Sequence, residues 1–110
     1  MRTTRNLIEN RFSDPTMLIL ASLAGGPKHG HAMIKDILLL CGSRLGIGTL
    51  YDAIGRLKAL GWIEPLPQDD RRHPYRITAK GVRVLRARLT SLRHFTRISW
   101  ERLEAHSGLG

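Results

Sequence analysis

The side chains that carry most chemistry in this sequence are its arginines. Residues 71–110 hold ten basic groups, Arg71, Arg72, Arg76, Lys80, Arg83, Arg86, Arg88, Arg93, Arg97 and Arg102, against two acids, Glu101 and Glu104. Residues 1–70 are nearly balanced, with eight basic and seven acidic groups, so the net charge of +9 resides in the C-terminal part. A guanidinium fork donates two hydrogen bonds to one phosphate, and a field of such groups attracts polyanions. A solvated helix face would also carry this charge. In a chain of 110 residues with a pI near 11.1, nucleic acid is the favoured partner.

Other chemistries lack their residues. Gly46-Ile47-Gly48 begins like a nucleotide loop, but Tyr51 stands where the third glycine belongs and no strand precedes it. His29, His31 and Cys41 match no common zinc spacing and have no carboxylate partner, so no metal is expected. No nucleophile and base are placed together by any motif. The chain reads as a non-enzyme without a cofactor. A single cysteine rules out an intrachain disulfide and fits a reducing compartment. The basic start, Met1 to Arg5, leads into no long apolar stretch and no cleavage site, so a cytoplasmic protein without a membrane partner is expected.

The elements that must position the arginines follow from periodicity and stop signals. Asp14-Pro15 reads as an N-cap and first helical residue. Met17, Leu20, Ala21 and Ala24 form an apolar face widened by Leu18, Ile19 and Leu23, and Gly25-Gly26-Pro27 ends this helix. A second helix is expected from about His29 to Leu40, largely buried through Ala32, Met33, Ile34, Ile37, Leu38 and Leu40. A third is expected to begin at Thr49, which stands in capping-box spacing with Asp52. Its buried stripe is Leu50, Ala53, Ile54, Leu57 and Leu60, and Gly61 stops it.

Trp62–Leu66 then reads as a strand, residues 67–74 as a charged turn and Tyr75–Ile77 as the returning strand. Thr78 caps a last helix reaching about Ala105, with residues 107–110 frayed. Val82, Leu85, Leu89, Leu92, Thr96, Trp100 and Leu103 trace one seam on it, flanked by Phe95 and Ile98. Nothing else in the chain is left to cover the far end of that seam, which predicts packing against a second subunit. The expected fold is mainly α with a small β-hairpin: a winged helix-turn-helix in residues 1–77 and a long C-terminal dimerisation helix in residues 78–110, in one compact unit.

In such an arrangement the third helix enters the major groove and the hairpin lies along the flanking backbone. Thr49 and Tyr51, at the start of the third helix, are the first candidates for DNA contact. Capping is the other reading of Thr49, and packing against the hairpin that of Tyr51. Arg56 and Lys58 could reach phosphates or bases, with plain surface exposure nearly as good a reading for Lys58. Arg71, Arg72 and Arg76 suit phosphates. Lys28 and His29 stand where a helix N-terminus could hold a phosphate, although His29 reads at least as well as stabilising the turn.

The segments Ile19–Gly30 (ILASLAGGPKHG), Gly48–Tyr51 (GTLY), Arg56-Leu57 with Gly61–Glu64 (RL, GWIE) and Arg71–Gly81 (RRHPYRITAKG) resemble, in order and spacing, the PadR family of bacterial transcriptional regulators. The single helix after the wing resembles the family's short subgroup. The chain departs from the family pattern at Asp52, where proline is frequent, at Gly55, where a basic residue is common, and at His31, where tyrosine is common.

The resemblance implies a homodimer on a pseudo-palindromic operator in double-stranded DNA, usually as a repressor, joined through the C-terminal helix. It also suggests a small aromatic or hydrophobic effector. Leu85, Leu89, Leu92, Thr96, Trp100 and Leu103 are then the dimer or effector residues. Trp100 is read first as a dimer-core tryptophan and second as one wall of a slot for a flat ligand. The alternatives are a protein–protein adaptor and an RNA-binding module, neither with specific operator binding.

Overall fold

The computed structural model describes residues 14–109; the basic start of the chain and Gly110 lie outside them. Helix α1, Pro15–Ala24, begins as its sequence dictates, with Asp14 Oδ1 accepting from the Thr16 and Met17 amides at 3.1 and 3.5 Å. Burial raises the Asp14 pKa. Hydrogen bonds from the Thr16 hydroxyl and the Met17 and Thr16 amides, with the Arg88 guanidinium at 3.3 Å, outweigh it and leave the carboxyl below its ordinary value. Leu18, Ile19, Leu20, Ser22 and Leu23 are buried, whereas Ala24, assigned to the apolar face by its spacing, is exposed.

Helix α2, Gly30–Cys41, starts on His29, whose Nδ1 accepts from the Ala32 amide at 3.4 Å. It is less buried than its composition predicts. Met33 and Ile37 are in the core, with Ile34 and Cys41 packed against it. At about 100° per residue, Leu38 and Leu40 fall on the borders of that stripe and Leu39 opposite it. All three are exposed, Leu39 by 85%.

Helix α3, Ile47–Leu60, begins two residues before the expected Thr49. Gly46 is the N-cap and makes no side-chain cap bond; its carbonyl accepts from the Leu50 amide at 2.9 Å. Glycine is an acceptable N-cap because the position needs extended dihedrals more than a particular side chain. The Thr49–Asp52 capping box is therefore not formed, and both residues lie inside the helix. Leu50, Ala53, Ile54 and Leu57 form the buried stripe; Leu60, at its edge, is exposed. Gly61, at φ 74°, closes α3 with the Trp62 amide donating back to the Leu57 carbonyl.

Strands β1, Ile63–Pro65, and β2, Tyr75–Ile77, pair antiparallel in the register Ile63–Ile77, Glu64–Arg76, Pro65–Tyr75. Lys28, in the loop between α1 and α2, exchanges both backbone hydrogen bonds with Tyr75 at 3.1 and 3.0 Å. This third rung ties the hairpin to the helices.

Helix α4, Ala79–Leu109, is capped by Thr78, whose Oγ1 accepts from the Gly81 amide and donates to the Gly61 carbonyl. It runs past the expected end at Ala105 and through residues expected to be frayed. Only its first turns enter the core, through Leu85 with Val84 packed against it. At ~1.5 Å per residue its 31 residues reach well beyond the head, and the molecule measures 59 Å along its longest axis.

Candidate nucleic-acid interface

The stripe that buries α3 leaves its opposite side open. At about 3.6 residues per turn, Gly48, Asp52, Gly55 and Ala59 form the line facing directly away from the core. Thr49 and Arg56 flank it on one side, Tyr51 and Lys58 on the other, and all eight are exposed. A methyl group on Gly30 would lie 2.5 Å from Tyr51 Oη and 3.1 Å from Cζ. The tyrosine thus lies across the first turn of α2, and Gly30 is what admits it. Sequence reasoning missed this role for Gly30. Lys58 Nζ sits 6.0 Å above the Tyr75 ring, which draws it toward the hairpin.

The hairpin narrows to a tight tip. Asp69 and Arg72 exchange backbone hydrogen bonds at 3.0 and 2.8 Å, and the residues between them, Asp70 and Arg71, have φ of 47° and 67°. Two successive positive φ values define a type I′ turn, the connection whose twist matches paired strands. Glycine or asparagine usually occupies these positions, and a left-handed arginine costs about 1 kcal/mol or more. Arg71, Arg72 and His73 are exposed, and neither arginine forms an ion pair among the described residues. Arg76 is held across the ladder by Glu64, Nε to Oε1 at 2.5 Å, which offsets part of its charge.

At the start of α2, the side chain of Lys28 turns inward. Its Nζ donates to the Ser22 carbonyl at 2.6 Å and the Gly26 carbonyl at 3.3 Å, and lies 3.8 Å from Asp36, which also accepts from the Ser22 hydroxyl. His29 is spent as the cap. These two residues shape the turn through bonds within the fold.

Among the described residues nothing covers the far part of the seam on α4. Beyond Leu85, the side chains of Leu89, Leu92, Phe95, Trp100 and Leu103 are all exposed, Phe95 by 67% and Trp100 by 58%, and Thr96 lies among them. Beside its first turns an open groove of about 400 Å³ is lined by Ile77, Val82, Leu85 and Leu89 with Arg86 and Arg93. Among the described residues no helix is long and apolar enough to cross a membrane.

Comparison with known proteins agrees with this geometry. The model of the PadR-like family of transcriptional regulators matches residues 19–87. A stretch of 75 residues, 68% of this chain, is 41% identical to an uncharacterized 37.1 kDa protein in transposon TN4556 of Streptomyces fradiae, and spans 22% of that protein's length. Among solved structures, a PadR family transcriptional regulator from Eggerthella lenta is 28% identical, with a TM-score of 0.73 over 93% of this chain and 92% of that one. A transcriptional regulator from Clostridium thermocellum is 25% identical, with a TM-score of 0.68 over 76% of this chain and 84% of that one.

Proposed function

The chain belongs to the PadR-like family of transcriptional regulators, whose members are not enzymes, and from that premise we propose that it is a homodimeric repressor acting on a pseudo-palindromic operator in duplex DNA. The observation that carries the reading is the open face of α3 beside a hairpin with an arginine tip. A helix with its side chains is about 10–12 Å across, which suits the ~12 Å major groove. Thr49, Tyr51, Arg56 and Lys58 meet the groove and its walls. Arg71 and Arg72 reach the neighbouring backbone, with Arg76 behind them. Lys28 and His29 contribute by fixing the start of α2 against the phosphates, not by offering their own charge.

Two heads are joined through residues 78–110. The exposed seam of Leu89, Leu92, Thr96, Trp100 and Leu103, with Phe95 beside it, gives each protomer an apolar face that a second copy covers. An antiparallel α4 pair also sets Arg86 and Arg93 of one helix toward Glu101 and Glu104 of the other. The helices then hold the reading heads roughly 34 Å apart, one turn of DNA. A small aromatic or hydrophobic effector entering beside Trp100 or the groove at Leu85 and Leu89 would change that spacing and release the operator. The protein acts in the cytoplasm, where its DNA is.

The test is a gel-shift titration on DNA from upstream of its own gene at physiological salt, against excess random duplex and RNA. A discrete complex that resists both competitors supports the repressor. A smear removed equally by either one refutes it and favours the adaptor or RNA-binding reading.

A further inference from the structure

The outward line of α3 holds one charged residue, and it has the wrong sign for phosphate. Asp52 is exposed and lies six residues in from the Gly46 cap, past the first turn, where the helix dipole has faded. It caps nothing. Among the described residues it accepts no side-chain hydrogen bond and forms no ion pair, not even with Arg56 one turn on. A carboxylate in the middle of the face turned toward DNA opposes binding unless something there donates to it.

Its neighbours on the same line leave room for such a donor. Gly48 and Gly55 precede and follow it by about one turn, and a methyl group at either would meet nothing within 4 Å. Ala59 continues the line. Glycine inside a helix is unfavourable, and Gly55 serves no packing need, since its added methyl would touch no neighbour. An aspartate carboxylate stands one methylene from the backbone, so it reaches a base edge only when the helix itself comes close. Bulk at positions 48 and 55 would hold the helix away.

We infer that Asp52 is a base-reading residue that selects cytosine at one position of each half-site. This rests on the operator reading above. In the major groove the donors are the cytosine N4 and adenine N6 amino groups. The adenine amino group lies beside the N7 acceptor, which repels a carboxylate; that of cytosine does not. Guanine and thymine present acceptors, N7 and O6 or O4, and leave the charge buried and unpaired. Asp52 therefore acts by exclusion as well as attraction. It lowers affinity for random sequence, while Thr49, Tyr51, Arg56 and Lys58 on the flanks supply the pull toward the backbone.

The experiment selects binding sites from a randomised duplex pool with the wild-type chain, Asp52→Asn and Asp52→Ala, with circular dichroism to establish that each is folded. The wild type should select cytosine at one position per half-site, with a loss of about ten-fold or more on changing that base. Asp52→Asn should move that position to adenine, which an amide pairs bidentately. Asp52→Ala should lose preference there alone and bind random duplex more tightly than the wild type. A motif unchanged at every position in both variants overturns the assignment while leaving the operator reading intact. Absence of any motif from the wild-type selection overturns both.

Discussion

Gly81 sits where α4 crosses the base of the wing, and one methyl group tests how closely they pack. In Gly81→Ala the new carbon would collide with the Trp62 carbonyl oxygen, and would lie 2.8 Å from Ile77 Cγ1 and 3.0 Å from the Trp62 carbonyl carbon. Two of these neighbours are backbone, which cannot swing aside like a side chain. The Trp62 oxygen is also engaged, accepting from the Thr78 amide at 3.0 Å. Overpacking costs about 1–3 kcal/mol, and weakening a buried hydrogen bond costs about 1–3 kcal/mol more if it is lost. Replacing glycine by alanine in a helix returns about 1 kcal/mol. With the hydrogen bond lost, the expected net loss is about 1–5 kcal/mol, centred on about 3 kcal/mol.

Gly55→Ala is the matched control, because the same methyl there meets open space and should stabilise by about 0.5–1 kcal/mol. Urea unfolding followed by far-ultraviolet circular dichroism measures both, at one protein concentration because the stability of the proposed dimer would depend on it. With a slope of about 1–3 kcal/mol per molar, Gly81→Ala should lower the midpoint by ~1–2 M and Gly55→Ala should raise it slightly. A Gly81→Ala midpoint at or above that of the wild type would refute the close crossing of α4 and the wing.

Arg71→Ala and Arg72→Ala should each weaken operator binding across all sequences and reduce the slope of log affinity against log salt by about one. Arg71→Gly should weaken binding equally while stabilising the tip, since glycine adopts the φ of 67° without strain; fluorescence anisotropy at several salt concentrations measures both effects. Phe95→Glu, which places charge at the edge of the apolar seam of α4, should give a monomer by sedimentation velocity with an intact circular dichroism spectrum. Asp14 has a depressed pKa in the folded chain, so its stabilising effect is complete above the unfolded value of about 3.9 and is lost as pH falls through the folded one. Asp14→Asn should therefore flatten the loss of stability below about pH 4, read from urea midpoints between pH 5 and pH 2, whereas Asp14→Ala should lower stability at neutral pH by ~1 kcal/mol through loss of the cap.

Local chemistry was legible in the sequence wherever neighbouring residues settle the outcome. Asp14-Pro15 starts a helix, Gly61 ends one, Thr78 caps the last, and the buried stripe of α3 appears as spacing in Leu50, Ala53, Ile54 and Leu57, because these signals act within one or two turns of backbone. The same periodicity failed on α2. Leu38, Leu39 and Leu40 are apolar in composition, but burial depends on what lies across from them, and that belongs to the rest of the fold. The capping box at Thr49 and Asp52 failed for a related reason, since two competent starts lay within three residues and only the packed structure chose Gly46.

The sequence by itself also determined where the positive charge gathers and that a seam without a cover runs along the last helix. Which charges are available to a ligand was decided only by tertiary structure. Lys28 and Arg76 are paired within the fold, Arg71 and Arg72 are held out on a left-handed turn, and Asp52 faces outward with no partner in the described residues. The reason is geometric: a side chain's neighbours in space come from distant parts of the chain, and composition records the charge without the distance that neutralises it.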